Sequence, residues 1–211
     1  MNIIRRPFRY SYDNTVFALI GLNILVYVAT QLFRDIPLIP YLAMNPGLVI
    51  SRGWVWQFVT YMFVHSPGNI THILFNMLAL FIFGRQVEHQ MGSREFLLYY
   101  FVTGALAGIF SFFVYVFTGN VWVFLMGASG AMFAVQLAFA TFFPTSVIYI
   151  WGILPVKAPI MVLGFSGLSV VFMVTGTAGN VAHITHLAGF AFGWLYFIVR
   201  FGINPWQAMR R

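Results

Sequence analysis

The chain has 211 residues, of which 61% are hydrophobic and only 7% are charged, and its mean hydropathy is +0.86. A soluble domain carries roughly 25% charged residues, so this composition excludes one and indicates a polytopic membrane protein. The absence of cysteine excludes disulfides and thiolate metal sites. The net charge is +7, but the basic residues are scattered between apolar segments, so we expect no nucleic-acid partner.

Six apolar segments approach the length of about 20 residues that a transmembrane helix needs. The first follows the basic stretch RRPFRY and has no small-residue cleavage site, so we interpret it as a retained helix and not as a signal peptide. Breakers separate later segments, among them Pro144 and the stretches LPVKAP and GTAGN. No repeat or linker divides the chain, which predicts a single all-α domain over 1–211. The predicted spans are 15–32, 70–88, 95–117, 127–143, 158–176 and 182–200.

The distribution of Lys and Arg predicts the orientation of this bundle. With the N-terminus inside, only Arg34 and Arg52 fall on the outer side, and six spans then place both termini in the cytoplasm. The nine basic residues on the inner side are Arg5, Arg6, Arg9, Arg85, Arg94, Lys157, Arg200, Arg210 and Arg211. We therefore expect a multi-pass protein of a prokaryotic cytoplasmic (inner) membrane.

The long outer connection, about 33–69, is not a simple hydrophilic loop. Its stretch GWVWQFVTYMFVH is too apolar for water and too short, with its flanks, to span a bilayer. Trp54 and Trp56 are residue types that favour the membrane–water boundary. We therefore predict that this loop lies in the interface.

Polar side chains on the second, fourth and sixth spans share nearly one depth. Ser129 lies 14 residues before Phe143, His186 lies 14 before Arg200, and His72 lies 13 before Arg85. At about 1.5 Å per residue, each lies about 20 Å from the inner boundary, in the outer half of the membrane. Asn76 lies one helical turn below His72 on the same face.

Two interpretations fit this polar level. Serine and histidine at one depth can act as nucleophile and general base, and a positioned base contributes on the order of 10²- to 10⁴-fold to rate. An interhelical hydrogen-bond network made only for packing is the alternative, at about 0.6 kcal/mol per bond. The glycines around Ser129 in GASGAMFA, 127–134, favour the first, because bare backbone leaves N–H groups free beside the hydroxyl.

Other classes of membrane enzyme fit the sequence less well. VEHQM has neither the order nor the depth of the His-Glu-x-x-His motif of a metalloprotease. Asp13 and Asp35 lie outside the spans, which disfavours an aspartyl protease. His72, His183 and His186 are potential zinc ligands, but no Cys, Asp or Glu accompanies them, so we expect neither metal nor cofactor. Because no carboxylate lies at the level of Ser129, a serine mechanism here must use a dyad.

Three motifs in this order resemble those of the rhomboid intramembrane serine proteases: HILFN at 72–76, GASG at 127–130 and THLAGFAFG at 185–193. The likeness covers about 55–200, and the combination is specific although each motif alone is weak. It implies a six-helix rhomboid-like bundle. It also implies Ser129 as nucleophile and His186 as general base, with His72, Asn76 and the backbone N–H of Ser129 as the oxyanion hole.

The resemblance also assigns supporting roles and shows departures. Gly189 and Gly193, together with Gly127 and Gly130, would allow helices four and six to pack closely. Phe133 stands where the family often has a tyrosine stacked on the catalytic imidazole, and it can stack without donating a hydroxyl bond. The Trp-Arg pair of the family's loop is replaced by Trp56 followed by Gln57.

Several remaining residues were weighed on the same pattern. His183 competes with His186 for the role of base, and the spacing of HLAGFAFG favours His186. Helix geometry alone does not decide between them. His65 and His89 are interpreted as interfacial, and Arg85 and Glu88 as structural.

The resemblance implies a serine endopeptidase that cleaves single-span membrane proteins in or near the outer end of their span within the lipid bilayer. The alternative is a catalytically inactive relative that binds membrane clients, although such relatives generally lack the serine or the histidine, and this chain has both. A transporter is disfavoured because no charged residue lies near the midplane and no inverted repeat is present. The sequence determines neither the natural substrate nor the oligomeric state.

Overall fold

Helices form nearly all of the regular structure. The computed structural model describes residues 8–150, 152–175 and 180–210. The chain is 72% helical, so the predicted all-α membrane bundle is confirmed. The helices are α1 (Thr15–Leu32), α2 (Leu38–Leu42), α3 (Pro46–Arg52), α4 (Gln57–Thr60), α5 (Ile70–Ala79), α6 (Arg85–Met91), α7 (Ser93–Phe117), α8 (Ser129–Phe142), α9 (Ala158–Thr175), α10 (Asn180–Tyr196) and α11 (Pro205–Met209).

Five helical segments in the described residues are long and apolar enough to cross a membrane, and α8 is shorter. A π-turn at Leu80–Gly84 joins α5 to α6 in one span, and a second π-turn at Phe197–Phe201 extends α10. With 14 residues, α8 is about 21 Å long at 1.5 Å per residue, which is less than a hydrocarbon core of about 30 Å. The expected count of six spanning helices is therefore not confirmed by length.

Some residues used for the predictions lie outside the described part of the chain. These are Arg5, Arg6 and Arg211 of the charge count, and 176–179 of the GTAGN breaker. The predicted orientation relative to the two sides of the membrane therefore stays a prediction.

Helix α8 is the centre of the bundle, because most of its side chains are buried on every face. It runs parallel to α10, since Ser129 meets His186 near their starts and the Phe142 ring meets the Phe197 ring near their ends. Helix α7 runs the opposite way. The Tyr99 hydroxyl near its start donates to the Ala134 carbonyl in the middle of α8 (2.6 Å).

Glycines allow α10 to approach α8 at backbone contact. A Cβ added at Gly189 would lie 1.9 Å from the Gly130 carbonyl oxygen. A Cβ added at Gly193 would lie 2.7 Å from the Tyr99 hydroxyl and 2.9 Å from the Ala134 Cβ. No rotamer relieves a clash between two backbones, so only glycine fits at 189.

Buried carboxylates bind helix ends together. Glu88 on α6 accepts hydrogen bonds from the backbone N–H groups of Thr15 and Val16, and so caps the positive end of α1. Glu95 on α7 forms a two-pronged ion pair with Arg200, with N–O distances of 2.7 Å. Glu88 is thus a structural residue, as the sequence predicted.

The interfacial segment 33–69 folds into α2, α3, α4 and a 3₁₀ turn at Tyr61–Phe63. Gln57, which follows Trp56, is fully buried. Its carbonyl oxygen accepts from the Asn45 N–H (3.0 Å), and its amide nitrogen donates to the Pro40 carbonyl (2.8 Å). A neutral amide therefore holds the segment together where a buried guanidinium would need a charge partner.

A two-stranded hairpin, which the sequence analysis did not predict, connects α8 to α9. Strand β1 (Val147–Ile150) pairs antiparallel with β2 (Leu154–Lys157), with Ile150 opposite Leu154. The β-branched run after Pro144 was the available signal. It was interpreted only as a boundary between two spans.

The glycine contact can be tested by Gly189→Ala, with Gly164→Ala on α9 as the matched control. We expect Gly189→Ala to lower the free energy of unfolding by about 1–3 kcal/mol, because the added methyl group overpacks two backbones. Nothing lies within 4 Å of a Cβ at Gly164, so that variant should stay within about 1 kcal/mol of wild type. Thermal unfolding in detergent measures both. Equal melting temperatures for the two variants would contradict the packing role.

Candidate active site

Ser129 and His186 are in hydrogen-bond contact. The Ser129 Oγ lies 2.8 Å from the His186 Nε2. Ser129 is the first residue of α8, and His186 lies in the second turn of α10. Gly130 is one residue after the serine, and Gly189 is three residues after the histidine. The backbone contact between these two glycines sets the helix separation that allows this distance.

The loop before Ser129 is hydrogen-bonded to the interfacial segment, so α8 begins inside the protein. Leu125 exchanges backbone hydrogen bonds with Met44, and the Gly47 N–H donates to the Val121 carbonyl. The Gly127 N–H donates to the Tyr61 carbonyl (2.9 Å). The uncharged stretch 117–126 is therefore attached to the interfacial segment, which lets α8 start deep and stay short.

Gly127 is required by both its conformation and its surroundings. Its φ of 118° is one that side-chain-bearing residues rarely adopt. A Cβ at this position would lie 2.8 Å from the His72 Nε2. Glycine therefore leaves open the space between the His72 imidazole and Ser129.

The hydrogen bonds of His72 and Asn76 indicate which of their side-chain hydrogens have no partner. The Ser66 N–H donates to the His72 Nδ1 (3.4 Å), which assigns the proton of the neutral ring to Nε2. Asn76 donates one amide hydrogen to the His72 carbonyl (2.8 Å), which leaves its second hydrogen available. The first hydrogen bond from α8 to the preceding loop runs from Met132 to Ala128, so the Ser129 N–H has no intrahelical acceptor.

Phe133, one turn after Ser129, stacks on the His186 imidazole. The ring centroids are 4.5 Å apart and the planes differ by 10°. Apolar stacking of this kind restricts rotation of the imidazole without adding a hydrogen bond. Phe133 thus makes the stacking contact with the imidazole that the sequence analysis predicted for this position.

His183 lies near His186 but forms no hydrogen bond with Ser129. Its ring centroid is 5.8 Å from that of His186, and neither ring nitrogen has a hydrogen-bond partner among the described residues. The hydrogen bond to Ser129 is made by His186. No group of three or more His, Cys, Asp or Glu residues placed to hold a metal ion occurs in the described part of the chain.

A cavity of about 680 Å³ opens beside the histidines. Its wall is mostly apolar and comes from α5, the hairpin, α8 and α9, with Phe133, His183 and His186 at one end. His186, which is hydrogen-bonded to Ser129, is among the lining residues.

The family model described as "Rhomboid domain" matches residues 52–203, which is most of the chain. The chain belongs to the rhomboid family. It is accordingly a multi-pass membrane protein of a protease family, which agrees with the family that the three motifs indicated.

Three curated rhomboid relatives illustrate the similarity. "Rhomboid protease GlpG" of Haemophilus influenzae is 37% identical over 91 residues, covering 43% of this chain and 45% of the relative. "Rhomboid protease AarA" of Providencia stuartii is 32% identical over 148 residues, covering 63% and 49%. "Rhomboid protease GlpG" of Salmonella choleraesuis is 33% identical over 85 residues, covering 40% and 30%. The chain thus matches less than half the length of each of these relatives.

A buried polar contact beside the rhomboid site was missed by sequence reasoning. The Ser111 Oγ on α7 lies 2.7 Å from the Thr185 Oγ1, and Thr185 directly precedes His186. Both side chains are buried. This contact joins α7 to the turn that carries His186, and no sequence pattern relates positions 111 and 185.

His65, in the interfacial segment, generates a pH prediction. It is fully buried beside His72, and burial, followed by the neighbouring His72, lowers the pKa of His65 from 6.5 to about 4. The pKa of His65 is therefore higher in the unfolded chain than in the folded chain, so the unfolded chain takes up a proton first as the pH falls. This contribution therefore lowers stability as the pH falls from 6.5 towards 4.

The measurement is the melting temperature in detergent between about pH 7 and about pH 5. We expect a larger decrease for wild type than for His65→Gln, which has no proton to bind in this range. Equal decreases would show that His65 does not contribute to the acid sensitivity.

Proposed function

We propose that this rhomboid protein is an intramembrane serine endopeptidase with a Ser129–His186 dyad. The contact of 2.8 Å between the Ser129 Oγ and the His186 Nε2 carries the proposal. A serine hydroxyl is a weak nucleophile until a base removes its proton, and a base must lie within about 2.6–3.2 Å to do so. Family membership supports the same reaction class.

In this mechanism His186 takes the proton of Ser129 as the oxygen attacks a substrate carbonyl. The imidazolium then donates that proton to the leaving amine, which breaks the peptide bond and leaves an acyl-enzyme. Water, deprotonated by His186, hydrolyses the ester and restores the serine.

No carboxylate completes a triad in the proposal. The chain has four acidic residues, and Glu88 and Glu95 are bonded to helix ends far from the dyad. Asp13 accepts from Ser11, and Asp35 follows the end of α1. Stacking on Phe133 and the fixed approach of α10 would orient His186 instead.

The oxyanion of the tetrahedral intermediate would form between His72, Asn76 and the start of α8. The His72 Nε2–H, the free Asn76 amide hydrogen and the Ser129 N–H are the proposed donors. The positive end of α8 adds to the stabilisation of negative charge. Preorganised donors of this type are typically worth about 10²- to 10³-fold each.

The dyad is tested by Ser129→Ala and His186→Ala, with His183→Ala as the matched control. We expect the first two variants to lose cleavage of a single-span reporter by at least about 10³-fold, because nucleophile or base is absent. His183→Ala should keep substantial activity, since the hydrogen bond to Ser129 is made by His186 and not by His183. A fluorophosphonate or isocoumarin probe should label only Ser129.

Activity retained in His186→Ala but lost in His183→Ala would contradict the assignment of the base. Folded wild-type protein that neither reacts with the probe nor cleaves any reporter would favour the inactive, client-binding alternative.

The oxyanion hole is tested by His72→Ala and Asn76→Ala, with the exposed Asn120→Ala as control. Each of the first two changes should lower turnover by about 10- to 10³-fold, because one donor to the transition state is lost. Acylation by a small activated inhibitor should persist. Turnover equal to wild type in both variants would remove these residues from the mechanism.

The substrate prediction follows from the depth of the site and the charge count. We propose that both termini are cytoplasmic in a bacterial inner membrane, so that the dyad lies in the outer half. A carbonyl in an intact helix is inaccessible, and unwound backbone needs hydrogen bonds that lipid does not supply. The substrates would therefore be single-span proteins with helix-breaking residues near the outer end of the span.

Adding proline or glycine there should raise the cleavage of a poor substrate, and replacing such residues by leucine should lower it. Immunoblots of separated compartments should find the soluble fragment on the extracytoplasmic side. Release into the cytoplasm, or cleavage that ignores these substitutions, would contradict the orientation or the requirement for unwinding.

A further inference from the structure

Arg85 is a charged side chain that the proposed mechanism does not use. Its guanidinium carbon lies 5.1 Å from the Phe17 ring centroid on α1 and 5.2 Å from that of Phe81 in the π-turn. Its Nε is buried and has no hydrogen-bond partner among the described residues. The charge count predicts Arg85 at the inner membrane boundary, which is the level of the anionic lipid headgroups, so an anion is available to this cation.

The protein's own carboxylates are engaged or lie elsewhere. Glu88 caps α1, and Glu95 binds Arg200. Asp13, just before α1, accepts a hydrogen bond from the Ser11 hydroxyl (2.9 Å). Asp35 follows the far end of α1, about 27 Å along the helix from its start beside Arg85. Within the described residues, Arg85 forms no salt bridge.

A pocket of about 560 Å³ surrounds one side of the Arg85 guanidinium. Its other polar lining residues are Tyr12, Gln86 and His89, Phe143 also contributes, and no carboxylate lines it. Phe81 and Ile82, which lie one turn before Arg85 in the span, form the apolar end and are 42% and 37% exposed. The apolar end is therefore nearer the membrane centre, and the polar end is nearer the end of the span at Met91.

We propose that this pocket binds the phosphate diester of an anionic phospholipid, with an acyl chain along Phe81 and Ile82. The planar guanidinium matches two phosphate oxygens, and an apolar surround strengthens the contact. A lipid molecule has a charged headgroup followed by apolar acyl chains, and the charged and apolar residues follow one another along the span in the same way. A free phosphate would not use the apolar residues. A headgroup with a net negative charge fits better than a zwitterionic one, because the pocket has no acidic group for an ammonium.

The bound lipid would stabilise the junction of α1 with the second span. Phe17 belongs to α1 and Phe81 to the π-turn, and the two rings also contact each other with centroids 6.1 Å apart. A phosphate that holds Arg85 between the rings binds only the folded arrangement. By mass action it should then raise the melting temperature.

The experiment measures lipid binding to the detergent-purified protein by native mass spectrometry. Phosphatidylglycerol, phosphatidylcholine and inorganic phosphate are each titrated onto wild type, Arg85→Gln and Arg52→Gln. Arg52 is the matched control, because it also lies over an aromatic ring, 5.2 Å from Trp54, in the interfacial segment. We expect Arg85→Gln to weaken the tightest phosphatidylglycerol binding by about 10-fold, while Arg52→Gln leaves it unchanged.

Several outcomes would overturn the proposal. Equal loss in the two variants would indicate a general charge effect. Equal affinity of wild type for phosphatidylcholine would remove the role of headgroup charge, and inorganic phosphate competing at the same concentration would indicate a free-phosphate site. None of these outcomes depends on protease activity.

A second measurement uses only the wild-type protein, so it tests the proposal even if Arg85→Gln does not fold. Wild type is treated with phenylglyoxal, and the modified arginines are identified by peptide mass spectrometry. Phosphatidylglycerol should slow modification of Arg85 several-fold relative to Arg52, and phosphatidylcholine should not. Equal rates at Arg85 with both lipids would contradict the site.

Discussion

The arrangement of the candidate site depends on the backbone contact between α8 and α10. Gly189 lies against Gly130 so closely that a Cβ there would reach 1.9 Å from the carbonyl oxygen. This contact lies beside Ser129 on one helix and one turn after His186 on the other. Helices that carry ordinary side chains pack with axes about 8–10 Å apart, and small residues allow a closer approach. The short contact between serine and histidine is a consequence of that approach.

Polar groups in this bundle fall into two classes by how they are satisfied. Glu88, Glu95 and Gln57 have several partners each, and these partners tie together the ends of helices or the turns of the interfacial segment. The proposed oxyanion donors on His72 and Asn76 have hydrogens left over and face the space beside Ser129. Buried polar atoms without a partner among the described residues also occur elsewhere, for example on Tyr100 and Ser166, so the free donors alone do not distinguish a reactive site from a packing network. The hydrogen bond between Ser129 and His186 favours the reactive site.

The sequence located the six long helical segments, with most of their ends within about three residues, but not the short helices α2, α3, α4 and α11. Apolar runs bounded by glycine and proline predicted α1 at 15–32 without error, because length and hydropathy determine a membrane span. The hairpin at 147–157 was missed, since four-residue strands between two spans carry too little pattern to separate them from a loop. The bond of Ser111 with Thr185 was missed for another reason: it joins positions 74 apart that share no motif.

The sequence by itself determined the class, the family motifs and the shared depth of Ser129, His72 and His186. Depth along a helix follows from counting residues at a fixed rise, so a linear chain contains that information. The family spacing of HLAGFAFG favoured His186 over His183 as partner of Ser129, but helix geometry did not decide between them, and only the tertiary structure brings the His186 ring to the serine. The two histidines are one turn apart on one helix, and which of them faces the serine depends on the rotation of α10 against α8. That rotation is set by side-chain packing between helices, which no local pattern encodes.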